Sequence, residues 1–166
     1  MPETRTIYSI GHSNHVTAAF IGLLRRYGIE TLVDVRSQPY SRWNPQFNRE
    51  NLAVNLQEAG IDYVFMGDSL GGRPRQADLY EPGSARPNYD MQAETPLYQE
   101  GVARLRRLAG ERKTAMMCSE GDPDTCHRKL LITETLLQDG DDVQHILPDG
   151  TLRRGEPEAR QLGFNF

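Results

Sequence analysis

The only two cysteines of the chain lie in one stretch that also carries acidic and basic side chains. The stretch reads Cys118-Ser119-Glu120-Gly121-Asp122-Pro123-Asp124-Thr125-Cys126-His127-Arg128. It follows an apolar run that predicts a strand, and it leads into a predicted helix. Turns of this kind, at the carboxyl end of a sheet strand, hold ligand sites in many α/β proteins. The stretch therefore predicts a polar site that contains thiols.

The two cysteines allow different chemistry. Cys126 is expected in the first turn of the last helix, where the helix dipole and free amides favour an anion, so its thiol should ionise easily. His127 or Arg128 would add positive charge there. Cys118 ends a strand with apolar neighbours, and a packed core thiol explains it as well as a reactive one does. A phosphatase-like loop is excluded, because position 124 is Asp rather than the arginine that such a loop needs.

A metal site is an open alternative. Zinc or iron ligands could come from Cys118 and Cys126 together with His12 or His127. The spacing of the cysteines does not match the short spacings of structural zinc sites. No cofactor is favoured.

Two further polar groups follow predicted strands and should reach the same rim. In the turn Gly11-His12-Ser13-Asn14, backbone amides and the Ser13 hydroxyl could receive an anion. Alternatively, Ser13, Asn14 or Thr17 simply caps the next helix, and His12 is a general acid or base, a ligand or a cap. Asp34 and Arg36 are two residues apart on an extended segment, so they point the same way and either pair with each other or contact substrate. His15 and His145 are expected at the surface or in packing.

Arginine and aromatic side chains are combined in the segment 36–45, which includes Ser41, Arg42 and Trp43. This combination suits a phosphate with a stacked ring, as in a nucleotide or single-stranded nucleic acid. Arg73 and Arg75 could close over the same ligand. A solvated surface loop is the alternative.

Strand-like and helix-like segments alternate along the chain, which indicates an α/β fold with a mainly parallel sheet of about five strands and helices on both faces. The predicted strands are 6–10, 31–35, 62–66, 114–118 and 143–147. The predicted helices are 17–27, 49–59, 97–108 and about 122–137, the first two ended by Gly28 and Gly60 and the last capped by Asp122 before Pro123. A turn at 148–150 and a polar tail follow.

Residues 67–94 break this rhythm, because they are rich in glycine and proline and show little periodicity. So long a segment inside a compact domain indicates a lid, a binding loop or disorder. We expect a single domain over residues 1–166.

Composition sets the broad class. With 37% hydrophobic and 25% charged residues, the 166-residue chain reads as a soluble globular protein. No apolar run is long enough to cross a membrane, and no secretion signal is recognised, so we expect a cytoplasmic protein. In that compartment two cysteines are more often reduced, catalytic or metal-bound than a structural disulfide. The net charge of −4 gives no global attraction to nucleic acid.

The order of these motifs resembles the domain-of-unknown-function family numbered 488. The resemblance rests on 9–14, on 32–36 with Pro39, Ser41 and Arg42, on 70–72, and on 117–120 with 126–128. It runs from about residue 6 to residue 147, with Ser119 where alanine is expected in many members. The family has no settled activity, but its paired cysteines favour an enzyme. The resemblance implies a site made of Gly11, His12, Ser13, Asp34, Arg36, Ser41, Arg42, Gly71, Gly72, Cys118, Glu120, Cys126, His127 and Arg128.

Residues and resemblance together predict a thiol-dependent enzyme, hydrolase or transferase, with a pocket for an anionic ligand such as a nucleotide or nucleic-acid component. Arg36, Arg42 and Arg128 would hold the anion. Cys118 or Cys126 would be the nucleophile or redox thiol, and Glu120 or His12 would move protons. The alternatives are a non-catalytic nucleotide or nucleic-acid binding module and a metalloprotein.

Overall fold

The computed structural model describes residues 4–157 as an α/β fold around one sheet of six strands. The strands are β1 (Thr6–Gly11), β2 (Thr31–Asp34), β3 (Asp62–Phe65), β4 (Thr114–Cys118), β5 (Asp142–Ile146) and β6 (Leu152–Arg154). Their order in the sheet is β3-β2-β4-β1-β5-β6, and only β6 runs antiparallel to its neighbour. The predicted fold class is confirmed.

Helices join the strands and cover both faces of the sheet. They are α1 (Thr17–Arg26), α2 (Arg49–Glu58), α3 (Gly67–Leu70), α4 (Tyr89–Ala93), α5 (Pro96–Glu111) and α6 (Glu134–Gln138). Gly28 and Gly60 follow α1 and α2 with φ of 67° and 77°, a backbone region that favours glycine and so ends each helix there. α5 starts where the Thr95 side chain accepts from the Tyr98 amide, with proline at the first helical turn.

Alternate residues of the central strands feed two separate apolar cores. On one face, Val33 and Met116 pack with residues of α5 and of the chain segment before α6. On the other face, Leu32 and Met117 pack with residues of α1 and α2. Since both faces are covered, the central strands are apolar almost throughout, as is usual for parallel sheets.

The sheet order places the ends of β2, β4 and β1 side by side. Gly11 at the end of β1 pairs in register with Cys118, and Asp34 at the end of β2 pairs with Met117. The predicted rim of polar residues therefore exists, because three loops leave the sheet at its carboxyl edge within one residue of the same level.

The last helix differs from its prediction. Asp122 does cap a turn, accepting from the Asp124 amide, but the turn is a short 3-10 helix, Pro123–Thr125. Cys126 is extended, and the chain then forms a π-helical segment, Arg128–Thr133, before α6. The Thr133 hydroxyl donates to the carbonyl of Arg128 over 2.6 Å, which supports the wider π turn.

Two other predictions need correction. The segment 67–94 contains α3, a 3-10 turn (Ala77–Leu79) and α4, so it is not without secondary structure. Part of the predicted polar tail forms β6, and the rest of the tail lies outside the described residues from position 158 onward. Within the described residues no helix is both long and apolar enough to cross a membrane.

Candidate functional site

A cavity of about 360 Å³ opens at the carboxyl edge of the sheet, against both cysteines. Its lining comes from the loops after β2 and β4 and from the segment 67–94. The residues are Arg36, Ser37, Gln38, Tyr40, Gly72, Arg73, Tyr89, Cys118, Ser119, Glu120, Thr125, Cys126 and His127. The site predicted from sequence is thus partly assembled around one cavity.

The sulfur atoms of Cys118 and Cys126 are paired with each other in the structure. Both side chains are nearly buried, with 2% and 4% exposure, yet both reach the cavity. The residues are separated by only 8 positions, and a link that closes so short a loop stabilises a fold less than a long-range disulfide does. The pairing differs from the reduced thiols that we expected, and it lies against the cavity.

The sequence predicts Cys126 in the first turn of the last helix, but the residue is extended and lies before the helical segment. Its carbonyl accepts from the amides of Lys129 and Leu130, and its sulfur accepts from the Arg128 amide over 3.5 Å. These contacts place the sulfur at the amino end of the helical segment, whose N-cap is His127, on the positive side of the helix dipole. The helix end that was expected to favour a thiolate therefore lies beside Cys126, although Cys126 precedes the helix.

His127 is held in one orientation beside Cys126. Its Nε2 is 2.9 Å from the carbonyl of Val35 and therefore carries the proton, which leaves Nδ1 as an acceptor 3.6 Å from the Cys126 sulfur. Burial lowers the pKa of His127 from 6.5 to about 4, so the ring is neutral at pH 7. Gly72 permits this packing, since a Cβ there would lie 2.8 Å from the imidazole Cγ.

Arg128 lies behind the sulfurs rather than in the cavity lining. Its side chain is completely buried, and its Nη1 donates to the Cys118 sulfur and to the Glu120 carbonyl, each over 2.9 Å. Burial lowers the pKa of Arg128 to about 10, so the guanidinium is still charged at pH 7. A fixed positive charge therefore touches one sulfur of the pair.

Asp34 and Arg36 form a buried, two-point ion pair. Nε and Nη2 of Arg36 donate to the Asp34 carboxylate over 2.9 and 2.8 Å, and Nη2 also donates to the carbonyl of Phe47. The hydroxyl of Tyr63 donates to the same carboxylate over 2.6 Å. Of the two alternatives for this pair, the structure forms the mutual ion pair, and it presents Arg36 but not Asp34 to the cavity.

His12 faces away from the cavity lining. Its ring stacks on Phe47 with centroids 4.6 Å apart, and its Nδ1 is 2.8 Å from the carbonyl of Ser13. Burial lowers the pKa of His12 to about 4, and its Nε2 is buried without a hydrogen-bond partner among the described residues. A proton-transfer role for His12 therefore stays a prediction, without a direct path to the cavity lining.

The turn after β1 does not offer the amides predicted for an anion. The amides of His12 and Ser13 donate to the carbonyls of Cys118 and Ser119, over 2.9 Å each, so they tie the turn to β4. Gly11 permits this contact, because a Cβ there would overlap the carbonyl of Glu120. The prediction that Ser13, Asn14 or Thr17 caps α1 is also wrong, since the N-cap is Val16 without a side-chain bond.

Three other predicted residues shape loops rather than the cavity wall. Ser41 accepts from the Asn44 amide, its own amide donates to Asn48, and Arg42 stacks over Trp43 at 5.2 Å from the ring centroid. Gly71 packs against Ser37. Glu120, by contrast, is exposed and lines the cavity.

The segment 67–94 is joined to the loop after β2 by the Arg73 amide, which donates to the Ser37 hydroxyl over 2.9 Å. Within the segment, the Gln92 side chain donates to the carbonyl of Gly71 over 2.8 Å. The segment brings Arg73 and Tyr89 to the lining. Tyr89 was not predicted from the sequence as a site residue. A signal was present, because Arg86, three residues earlier, lies over the Tyr89 ring and repeats the arginine–aromatic combination of residues 36–45.

Two buried polar residues, Ser9 and His145, lie beside Arg128 and were not predicted as part of the site. Ser9 accepts from Arg128 Nε over 3.2 Å, and its hydroxyl meets His145 Nδ1. His145 is completely buried, so the expectation of a packing histidine is correct but leaves out its polar contact.

The ligand set considered for zinc or iron is not assembled. Among the described residues, no group of three or more His, Cys, Asp and Glu side chains is placed to hold a metal ion. His12 is turned onto Phe47, so of the two histidines only His127 lies beside a cysteine.

Comparison with known proteins identifies the family. The family profile described as Domain of unknown function DUF488 matches residues 17–134, which is more than half of the chain. The chain therefore belongs to this family, and the resemblance of the sequence motifs is confirmed. The match begins after the turn that holds Gly11, His12 and Ser13. No curated protein and no solved structure matches the chain.

Proposed function

We propose that the protein is a thiol-dependent enzyme in which Cys126 and Cys118 alternate between a dithiol and a disulfide while acting on a small anionic substrate. The observation that carries the proposal is the contact between the two sulfurs on the wall of the cavity. Each sulfur also has its own activating group, an imidazole and helix amide for Cys126 and a guanidinium for Cys118.

Cys126 is the attacking thiol. Its sulfur accepts from the amide of Arg128, the first residue of the helical segment, and this position favours a thiolate. The neutral Nδ1 of His127, 3.6 Å away, accepts a hydrogen bond from the thiol and orients it, and the thiol proton passes to solvent when the thiolate forms. A histidine that is neutral at pH 7 acts as an acceptor without having to lose a proton first.

Cys118 is the resolving thiol. Its contact with Arg128 stabilises a negative sulfur, both when Cys118 attacks and when it leaves. Because a group bound to Cys126 must lie beside Cys118, the second thiol would reach the covalent intermediate with a large effective concentration. Exchange at sulfur is therefore favoured over hydrolysis by water, and this redox reaction takes the place of the hydrolase or transferase expected from the sequence.

The reaction that fits is thiol–disulfide exchange with a substrate R–S–S–R. The Cys126 thiolate attacks one sulfur, which forms a mixed disulfide and releases R–S⁻, and this group takes a proton from water. The Cys118 thiolate then attacks Cys126, which closes the protein disulfide and releases the second R–S⁻. Two electrons pass from the protein to the substrate, and a second dithiol of the reductant class returns them.

The substrate that fits best is an anion with a ring. Arg73 supplies positive charge at the lining, and Arg128 adds a fixed charge behind the sulfurs, whereas the charge of Arg36 is paired with Asp34. Tyr40 and Tyr89 supply flat faces on which a ring can stack. A disulfide whose R group carries a nucleotide or nucleic-acid component, the ligand predicted from sequence, combines these two features with the bond that the exchange breaks.

A series of aliphatic disulfides of different charge tests the proposal. Reduced protein is mixed with dithiodiglycolate, hydroxyethyl disulfide or cystamine, which are anionic, neutral and cationic, and each rate is divided by that of a free small thiol. We expect the normalised rates to fall in that order, and a nucleoside monophosphate to slow the reaction of the anion. Equal normalised rates for the three disulfides would contradict a site that binds anions.

The cysteine variants separate an enzyme from a binding module. Cys126→Ser should abolish the reaction while leaving any nucleotide binding in place. If nucleotide binds tightly but the parent protein exchanges disulfides no faster than a free thiol, the non-catalytic binding module is the better account.

A further inference from the structure

A buried polar chain crosses the sheet behind the cysteines and ends at His145. Ser9 on β1 lies opposite His145 on β5 in register, and Gly11, two residues beyond Ser9 on the same face, lies opposite Cys118 on β4. The helical segment that carries Arg128 packs against this face. The three side chains Ser9, Arg128 and His145 are each completely buried.

Chemistry fixes the direction of one hydrogen bond in this chain. Arginine can only donate, so Arg128 Nε donates to the Ser9 hydroxyl oxygen over 3.2 Å. The Ser9 hydroxyl keeps its own proton, and His145 Nδ1 is its neighbour. We assign the proton of a neutral His145 to Nε2, so that Nδ1 accepts from Ser9.

The surroundings of His145 favour the neutral ring. Burial is the main reason that its pKa falls to about 3, and the charges of Arg128, Arg153 and Lys129 act in the same direction. Its outer side faces a second cavity, whose other charged lining residues are Asp124, Lys129, Arg153, Arg154 and Glu156. A protonated His145 would be a second cation beside the buried guanidinium and could not accept from Ser9.

The guanidinium needs this support because the cysteine alone does not orient it. Its other contacts among the described residues are backbone carbonyls of Glu120 and Gly121, at 2.9 and 3.3 Å, in the loop after β4. Ser9 on β1 accepts from Nε, so it fixes a different nitrogen of the guanidinium from Nη1, which contacts Cys118.

We infer that Ser9 and His145 are positioning residues, which hold Arg128 against Cys118 and so stabilise the thiolate that Cys118 becomes when the pair is reduced. The inference rests on the proposed function only in taking the cysteine pair to be reducible. Neither residue touches the cavity that holds the substrate.

The test measures the ionisation of Cys118 rather than turnover. In reduced protein with Cys126→Ser, the rate of alkylation of Cys118 by iodoacetamide is followed against pH, with the modified peptide identified by mass spectrometry. Ser9→Ala and His145→Ala should each raise the midpoint of this profile by about half to one pH unit, since one hydrogen bond is worth about 1 kcal/mol.

Conservative variants distinguish positioning from mere packing. His145→Asn keeps an acceptor where Nδ1 lies and should restore the midpoint, and Ser9→Thr keeps the hydroxyl and should do the same. The midpoint of Cys126, measured with Cys118→Ser, should not move in any of them. If Ser9→Ala does not fold, the comparison of His145→Ala with His145→Asn decides the matter.

An unchanged Cys118 midpoint in folded Ser9→Ala or His145→Ala protein would overturn the inference, as would an equal shift in His145→Asn. These outcomes do not depend on disulfide exchange. Lack of exchange with a shifted midpoint would refute only the proposed function.

Discussion

The guanidinium of Arg128 donates to the sulfur of Cys118 over 2.9 Å at a completely buried position. A buried cation needs compensation, and here sulfur, one hydroxyl and backbone carbonyls surround it. When the cysteine pair is reduced, a thiolate at Cys118 would supply the missing negative charge. The contact therefore links the stability of the fold to the state of the cysteines.

Arg128→Lys should raise the midpoint of Cys118 alkylation in the reduced protein by about one pH unit or more. Lysine keeps the charge but cannot contact Cys118, Glu120 and Ser9 at once. The matched control is Arg153→Lys, since Arg153 pairs with Asp124 at a partly exposed position. The prediction fails if both variants leave the Cys118 midpoint where it is.

Asp34→Asn should lower the free energy of unfolding by about 3 to 5 kcal/mol, because it leaves the charge of Arg36 buried without its partner. The side chains of Asp34 and Arg36 are 0% and 4% exposed. In the control Asp62→Asn, the lost partner is Arg112, and both side chains are more than half exposed. We expect a change there within about 0.5 kcal/mol by urea unfolding. Similar losses in the two variants would show that burial of the Asp34 pair is not decisive.

The stability of the protein should fall as the pH decreases from 6.5 to about 4. His12, His127 and His145 have pKa values lowered from 6.5 to about 4, 4 and 3, so in this range the unfolded chain binds more protons than the folded one. Each unit by which the pKa of one histidine is lowered corresponds to about 1.4 kcal/mol in the free energy of unfolding. The total loss of stability should reach several kcal/mol. Urea unfolding at a series of pH values measures it.

His145→Asn provides the internal control for this pH dependence. The variant should lose less stability than the parent protein over the same range, because one of the three buried histidines is gone. A parent protein equally stable at pH 7 and pH 5 would contradict neutral burial of these rings.

Gly72→Ala should slow disulfide exchange on the order of tenfold to a hundredfold, since small displacements of a catalytic group have effects of this size. The new Cβ would lie 2.8 Å from Cγ of His127 and push the ring away from Cys126. The control is Gly22→Ala on the exposed side of α1, where a Cβ meets nothing within 4 Å. Unaltered exchange in folded Gly72→Ala protein would argue against a role for His127.

The strands were predictable because both faces of the sheet are buried, which requires a run of apolar residues in each central strand. Leu32 and Val33 serve opposite cores, and so do Met116 and Met117, so each strand had to be apolar nearly throughout. Glycines after α1 and α2 marked the helix ends. Each of the five predicted strands lies within one residue of its observed bounds.

The start of the last helix was not predictable from periodicity. An apolar pattern indicates where a helical face lies, but the extended Cys126 and the π-helical segment depend on local bonds such as that from Thr133 to Arg128. The contact between Ser9 and His145 was hidden for another reason. These residues are 136 positions apart, and only the strand order, with β1 between β4 and β5, brings them together.

The residues near the site were more predictable from the sequence than their individual positions and roles. Motif residues such as Cys118, Cys126 and His127 do line one cavity, whereas Asp34 and Arg128 support it from behind. Sequence spacing placed both kinds at the same rim, because it cannot tell a side chain that faces a cavity from one that faces the core.

The most direct test of the account is to trap the covalent intermediate. Reduced Cys118→Ser protein is treated with dithiodiglycolate, and the products are identified by mass spectrometry of the peptides. The account predicts a mixed disulfide on Cys126 that persists because no resolving thiol remains, and much slower formation of an adduct on Cys118 in Cys126→Ser. An adduct that forms faster on Cys118 would reverse the two roles, and no adduct on either cysteine would contradict the central claim that this pair is the reactive site.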